Sequence, residues 1–152
     1  GLPYSFATHF APAMCEEALG IYRKHFKPSK YLKEPYFILG VLAHGADTDE
    51  EAQKLYTVAQ QGSIRLLRDE KGLYPLADEN FEENLNLSSA EKIFLKSRMG
   101  INLMGSKETM AKTWKEIKAK FNPDEIIAVS YMPKLEQLEK SYRILKEVIE
   151  NN

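Results

Sequence analysis

Pro35-Tyr36-Phe37-Ile38-Leu39-Gly40-Val41-Leu42-Ala43-His44-Gly45-Ala46-Asp47-Thr48-Asp49-Glu50-Glu51-Ala52-Gln53 is the stretch on which the fold turns. A proline admits a continuous apolar run, Tyr36 to Ala43, and the run passes directly into an acidic, capped helix start. Apolar residues without alternation suit a strand buried on both faces, as in parallel α/β sheets. Asp47 with Glu50, or Thr48 with Glu51, has capping-box spacing, so the helix begins about where the strand stops. This is a βα unit. In folds built from such units, chemistry gathers at the C-terminal ends of the strands.

The unit recurs. Strands are predicted at roughly 3–8, 36–43 and 125–130, each followed by a helical pattern. Met14, Ala18, Ile21 and Tyr22 stripe residues 12–25, and Ala52, Leu55, Tyr56, Ala59 and Leu66 stripe residues 48–68. Leu135, Leu138, Tyr142, Leu145 and Ile149 do the same for residues 134–150, all at the helical period. Pro28 and Pro35 bound a loop before the second strand. Between the second and third strands lies an excursion at about 69–105. Its first part, to residue 87, reads as irregular and exposed, with Gly72, Pro75 and Asp78-Glu79-Asn80. Ser88-Ser89-Ala90-Glu91 then opens a short helix to about Met99. Gly105-Ser106-Lys107-Glu108 opens another, striped by Met110, Trp114, Ile117 and Phe121. A phosphate could sit on its free backbone N–H groups. Because that helix precedes a strand, its start is expected toward the face opposite the strand C-termini.

With 152 residues, 43% of them hydrophobic and 28% charged, and a net charge of -1, the chain reads as one ordinary globular domain. A near-neutral balance argues against a nucleic-acid partner. No apolar run approaches the roughly 20 residues that span a bilayer, and no signal-peptide pattern opens the chain, so no membrane role is expected. The lone Cys15 cannot form an internal disulfide, which favours a cytoplasmic setting. It stands at a predicted helix start, but no activating His or Asn constellation accompanies it. His9, His25 and His44 lie on separate elements without HxH or HxxxH spacing, so no metal site is predicted. The chain opens without methionine and enters a strand almost at once, as expected of a fragment or of a split or truncated gene product.

Alternating strands and helices imply a parallel sheet with right-handed crossovers. Three parallel strands alone leave unpaired edges and apolar faces. Either the strands continue in another segment, or a second copy of the chain completes the sheet.

In this order, the segments resemble the C-terminal part of the bacterial luciferase-like family of flavin-dependent monooxygenases. Gly1 to Pro12 resembles the family's sixth barrel strand and its turn, and Tyr36 to Ala52 the seventh strand and its helix start. Gln60-Gln61, Arg65 and Gly72 to Pro75 fit the long connection of the luciferase-like subgroup. Met104-Gly105-Ser106-Lys107-Glu108-Thr109 resembles the helix start before the eighth strand, which Asp124 to Ser130 then fits. The resemblance implies a partial (β/α)8 TIM barrel, with about three of its parallel strands present here. It implies an enzyme that oxygenates a small organic substrate with reduced FMN and O2. It places most of the FMN site, the phosphate loops included, upstream of Gly1, so the isolated chain is expected to be inactive.

By the same resemblance the candidate residues are those at the strand ends. His9 and Tyr131 are the catalytic candidates, and Thr8, Phe10, Leu42 and Ser130 the cofactor-binding ones. Relatives often carry a polar residue where Leu42 stands, and the subgroup commonly has His at Tyr131, so neither the polar flavin contact nor the proton-transfer role carries across. His44 is read as a solvated turn residue, with lining of the barrel mouth as the alternative, and Trp114 as core. The partners implied are flavin, a small-molecule substrate, and either a missing N-terminal half or a second copy. The alternative function is a non-catalytic partial barrel that homodimerises through its exposed sheet.

Overall fold

The structure is a computed structural model and describes residues 1–151. Its centre is β2 (Phe37–Gly45), the apolar run already singled out. A strand buried on both faces needs neighbours on both edges, and β2 has them. β1 (Tyr4–Ala7) pairs with residues 37–40, β3 (Asn102–Gly105) with residues 42–45, and β4 (Glu125–Val129) with residues 38–42, all parallel. Residues 38–40 pair with both β1 and β4, and Leu42 pairs with both β3 and β4. β1 and β3 therefore lie end to end on one edge of β2, with β4 on the other. Thr8 joins them: its Oγ1 donates to Gly40 O (2.8 Å) and, across the junction, to Ile101 O (3.1 Å).

One face of the sheet carries Phe37, Leu39, Val41, Ala43 and Leu103, all buried. Over it pack α1 (Cys15–His25), α5 (Lys107–Phe121) and α6 (Leu135–Glu150), through Leu19, Trp114, Ile117, Leu145 and their neighbours. Burying each large side chain there contributes about 1.5–3 kcal/mol. The opposite face is covered at its C-terminal half alone, where Tyr56 and Ala59 of α2 (Asp49–Leu67) pack on Leu42, Met104 and Val129. Toward the N-terminal half of this face, Ser5, Ala7, Glu125 and Ile127 are exposed, Ile127 by 52%. Among the described residues β1 and β4 each pair with β2 alone, so both outer edges of the sheet are open.

The three predicted strands and their helices are present, with two differences. The sheet has four strands, because Asn102–Gly105 pairs where a loop was expected. The excursion carries the expected short helix, α4 (Ser89–Ser97), and its first part, expected to be irregular, also holds α3 (Phe81–Asn84). Side chains of α2 tie it down, Gln61 Nε2 donating to Leu76 O at 2.7 Å and Arg65 Nη1 to Leu73 O. Ile64, Phe81, Leu87 and Leu95 form a small apolar cluster beneath it. Of the two capping alternatives for α2, Thr48 is the cap: its Oγ1 accepts from Glu51 N at 3.1 Å. Ser88 and Glu91 form the predicted capping box of α4.

Candidate functional site

The C-terminal ends of β1, β2 and β4 converge where α2 begins to cover the sheet. A cavity of about 210 Å³ opens there, lined by His9 and Phe10 after β1, Leu42 of β2 and Tyr131 after β4. Ala59, Gly62 and Ser63 of α2 form another wall, and Tyr74 and Arg98 reach in from the excursion. Four larger grooves, of about 740, 590, 540 and 470 Å³, contain none of these residues at the C-terminal strand ends. The smaller cavity is the one the fold builds from its strand ends.

Thr8 and Ser130 are placed differently from the other candidates. Thr8 is fully buried, and its hydroxyl is committed to Gly40 and Ile101. The Ser130 hydroxyl donates to Ala43 O and lies 3.3 Å from Ser141 Oγ. Both stitch strand ends together and neither lines the cavity.

His9 stacks at a tilt on Phe10, with ring centroids 4.3 Å apart, and its Nδ1 is buried without a hydrogen-bond partner. Burial, and next the Arg98 guanidinium, hold its pKa below the ordinary histidine value. Tyr131 stacks on Tyr74 at 6.0 Å. Burial, with Tyr131 adding to it, pushes the Tyr74 hydroxyl up to about 12.

His44 corrects the expectation of a solvated turn. The strand runs on through Gly45 because β3 pairs with it, so His44 is 1% exposed on the face beneath α2. Its ring meets Tyr56 edge-on at 5.2 Å, and Tyr131 N donates to its Nε2 at 3.3 Å. Burial drives its pKa down to about 4, so it is neutral at ordinary pH. The acceptor role of Nε2 assigns the remaining proton to Nδ1.

The start of α5 corrects a second expectation. Gly45 pairs with Gly105, so this helix begins at the C-terminal end of the sheet, not the opposite one. It is also occupied. Ser106 N donates to Asp49 Oδ1 at 2.6 Å and Thr109 Oγ1 to Asp49 Oδ2 at 2.8 Å. The backbone N–H of Ser106, then the Thr109 hydroxyl, hold the Asp49 carboxyl below its usual range. An internal carboxylate thus fills the position in which a phosphate would sit. Cys15 is fully buried and burial raises its pKa, the opposite of an activated thiol. Among the described residues no group of three or more His, Cys, Asp or Glu is placed to hold a metal, and no helix is long and apolar enough to cross a membrane.

Arg98, which the sequence reading passed over, is the C-cap of α4. It reaches the cavity because the excursion folds back beside the end of β1, where Arg98 Nη1 lies 3.5 Å from His9 O. No local sequence signal marks that return.

No family model matches the chain. The uncharacterized protein YddN of Bacillus subtilis (strain 168) is 36% identical over 150 residues, which are 99% of this chain and 44% of that protein. A luciferase-like monooxygenase of Escherichia coli (strain K12) is 34% identical over 127 residues, covering 84% of this chain and 37% of that protein. The crystal structure of apo-MsnO8 superposes with a TM-score of 0.83 at 27% identity, over 99% of this chain and 45% of that one. The monooxygenase RslO1 from Streptomyces bottropensis, at 17% identity and a TM-score of 0.57, shares the fold. The chain spans less than half the length of each of these proteins.

Proposed function

From the premise that this chain belongs to the luciferase-like monooxygenases, we propose that it is the C-terminal part of such an enzyme, with β1, β2 and β4 as three neighbouring strands of a (β/α)8 barrel. The parent protein uses reduced FMN and O2 to oxygenate a small organic substrate, in the cytoplasm. The observation that carries this reading is the convergence of His9, Phe10, Leu42 and Tyr131 on one cavity at the C-terminal end of a parallel sheet. Active sites of (β/α)8 enzymes lie at that end.

These residues do not make a flavin site by themselves. The cavity of about 210 Å³ is smaller than the roughly 300–1,000 Å³ of pockets that enclose drug-sized ligands, too small for a tricyclic flavin. The start of α5, at the same end of the sheet, already holds Asp49. The chain therefore supplies one wall of the active site, apolar and aromatic apart from His9 and Arg98, and the isolated chain does not catalyse oxygenation.

The test joins the N-terminal part of YddN to this chain and compares the fusion with the chain alone. The fusion is expected to carry stoichiometric flavin absorbance and the chain none. Flavin retained by the chain alone, or refused by a well-folded fusion, overturns the reading. The open edges of β1 and β4 and the exposed Ile127 favour a second reading for the chain on its own, a non-catalytic homodimer formed through the uncovered sheet face.

A further inference from the structure

Arg98 is the only formally charged side chain lining the strand-end cavity, and among the described residues its guanidinium has no carboxylate partner. Its hydrogen bond to His9 O is long, at 3.5 Å. Arg68 and Arg23 are better served: Arg68 Nε meets Glu91 at 2.5 Å and Arg23 Nη2 meets Phe121 O at 2.7 Å. What holds Arg98 is aromatic. The guanidinium lies 4.5 Å from the Phe94 ring centroid and 5.8 Å from that of Phe10. Such contacts orient a guanidinium and leave its N–H donors free for an anion.

The rest of the cavity fits one kind of anion. Leu42, Ala59 and Leu66 give it an apolar lining, and Phe10 and Tyr131 add aromatic walls. His9 also lines it, with its Nδ1 buried and without a hydrogen-bond partner. The Ser63 hydroxyl, also at the wall, is already bonded to Ala59 O at 3.0 Å. About 210 Å³ suits a single ring better than a tricyclic cofactor. We propose that this cavity binds a small aromatic carboxylic acid, its carboxylate on Arg98 and its ring against Phe10 and Tyr131. Calling that acid the oxygenation substrate rests on the family reading; the binding itself does not.

Gly62 supplies a clean control. A Cβ built there meets nothing within 4 Å, so a larger side chain can occupy the cavity without disturbing the helix. The experiment titrates 4-hydroxybenzoate, and its neutral isostere 4-hydroxybenzamide, into the flavin-free chain and follows backbone amide shifts by NMR. Saturable shifts at Gly62, Ser63 and Arg98 are expected, with the acid bound at least tenfold more tightly than the amide. Arg98→Gln is expected to erase that preference, and Gly62→Leu to weaken both ligands at least tenfold. Equal affinity for acid and amide, undiminished binding by Gly62→Leu, shifts centred elsewhere, or no binding overturns the proposal. If Arg98→Gln fails to fold, the acid–amide comparison and Gly62→Leu still decide. No flavin enters the measurement, so its failure leaves the flavin fusion result untouched, and the reverse holds as well.

Discussion

His44 is a neutral side chain sealed beneath α2, and this ties stability to pH in one direction. Its folded pKa is about 4, against about 6.5 for an unperturbed histidine. Between those values the unfolded chain binds a proton that the native chain refuses, so stability is full above about pH 6.5 and falls as pH drops toward 4. From about pH 7 to pH 5 the loss is about 2 kcal/mol. His9, lowered mainly by burial, acts in the same sense. Glu91, held at about 2 chiefly by its hydrogen bond to Arg68, loses its contribution only below the ordinary Glu range. The histidine window therefore stands apart from general acid unfolding. Urea denaturation at the two pH values is expected to show this loss in the native sequence and most of it removed in His44→Gln. An unchanged pH slope in the variant would remove His44 from the account.

At the scale of elements, the start of α5 depends on a single missing Cβ. Gly105 has φ +129°, and a Cβ there would lie 2.6 Å from Asp49 Oδ1 and 2.8 Å from Thr109 Cγ2. Gly105→Ala adds backbone strain and pushes the Asp49 carboxylate off Ser106 N, at a cost of about 1–3 kcal/mol. The urea midpoint reads that loss, and faster hydrogen exchange at the Ser106 amide locates it. A variant as stable as the parent, with Ser106 still protected, would show that the junction tolerates the change. The same junction shows what could be read in advance. β2 and its capped helix were legible because apolar continuity and the Thr48–Glu51 spacing are local signals. Asn102–Gly105 was not, because four residues carry no period and the strand exists only through its long-range partner, residues 42–45. The burial of His44 follows from that hidden pairing, and so does the position of the α5 start. Arg98 was invisible for a related reason: nothing near Arg98 says that the excursion returns to His9.

For the whole molecule, the decisive asymmetry is a sheet covered fully on one face and half on the other. Helices α1, α5 and α6 seal the first face, while Ile127 of β4 and Ser5 and Ala7 of β1 stand open on the second between two unpaired edges. Longer relatives have more than twice this length, enough chain to supply further strands. Without them, a second copy is the available cover, and a two-fold axis lets one patch serve both partners. Static light scattering of the isolated chain is expected to give a dimer mass that falls toward monomer on dilution. Ile127→Lys should hold the mass at monomer. Because Ile127 is already 52% exposed, the thermal midpoint measured at low concentration should barely move. If the native chain stays monomeric at high concentration, or the lysine variant still dimerises, self-pairing through this face is wrong. The fusion with a complementary N-terminal part separates the two kinds of cover, because strands supplied in one chain would abolish dimerisation without any change at Ile127.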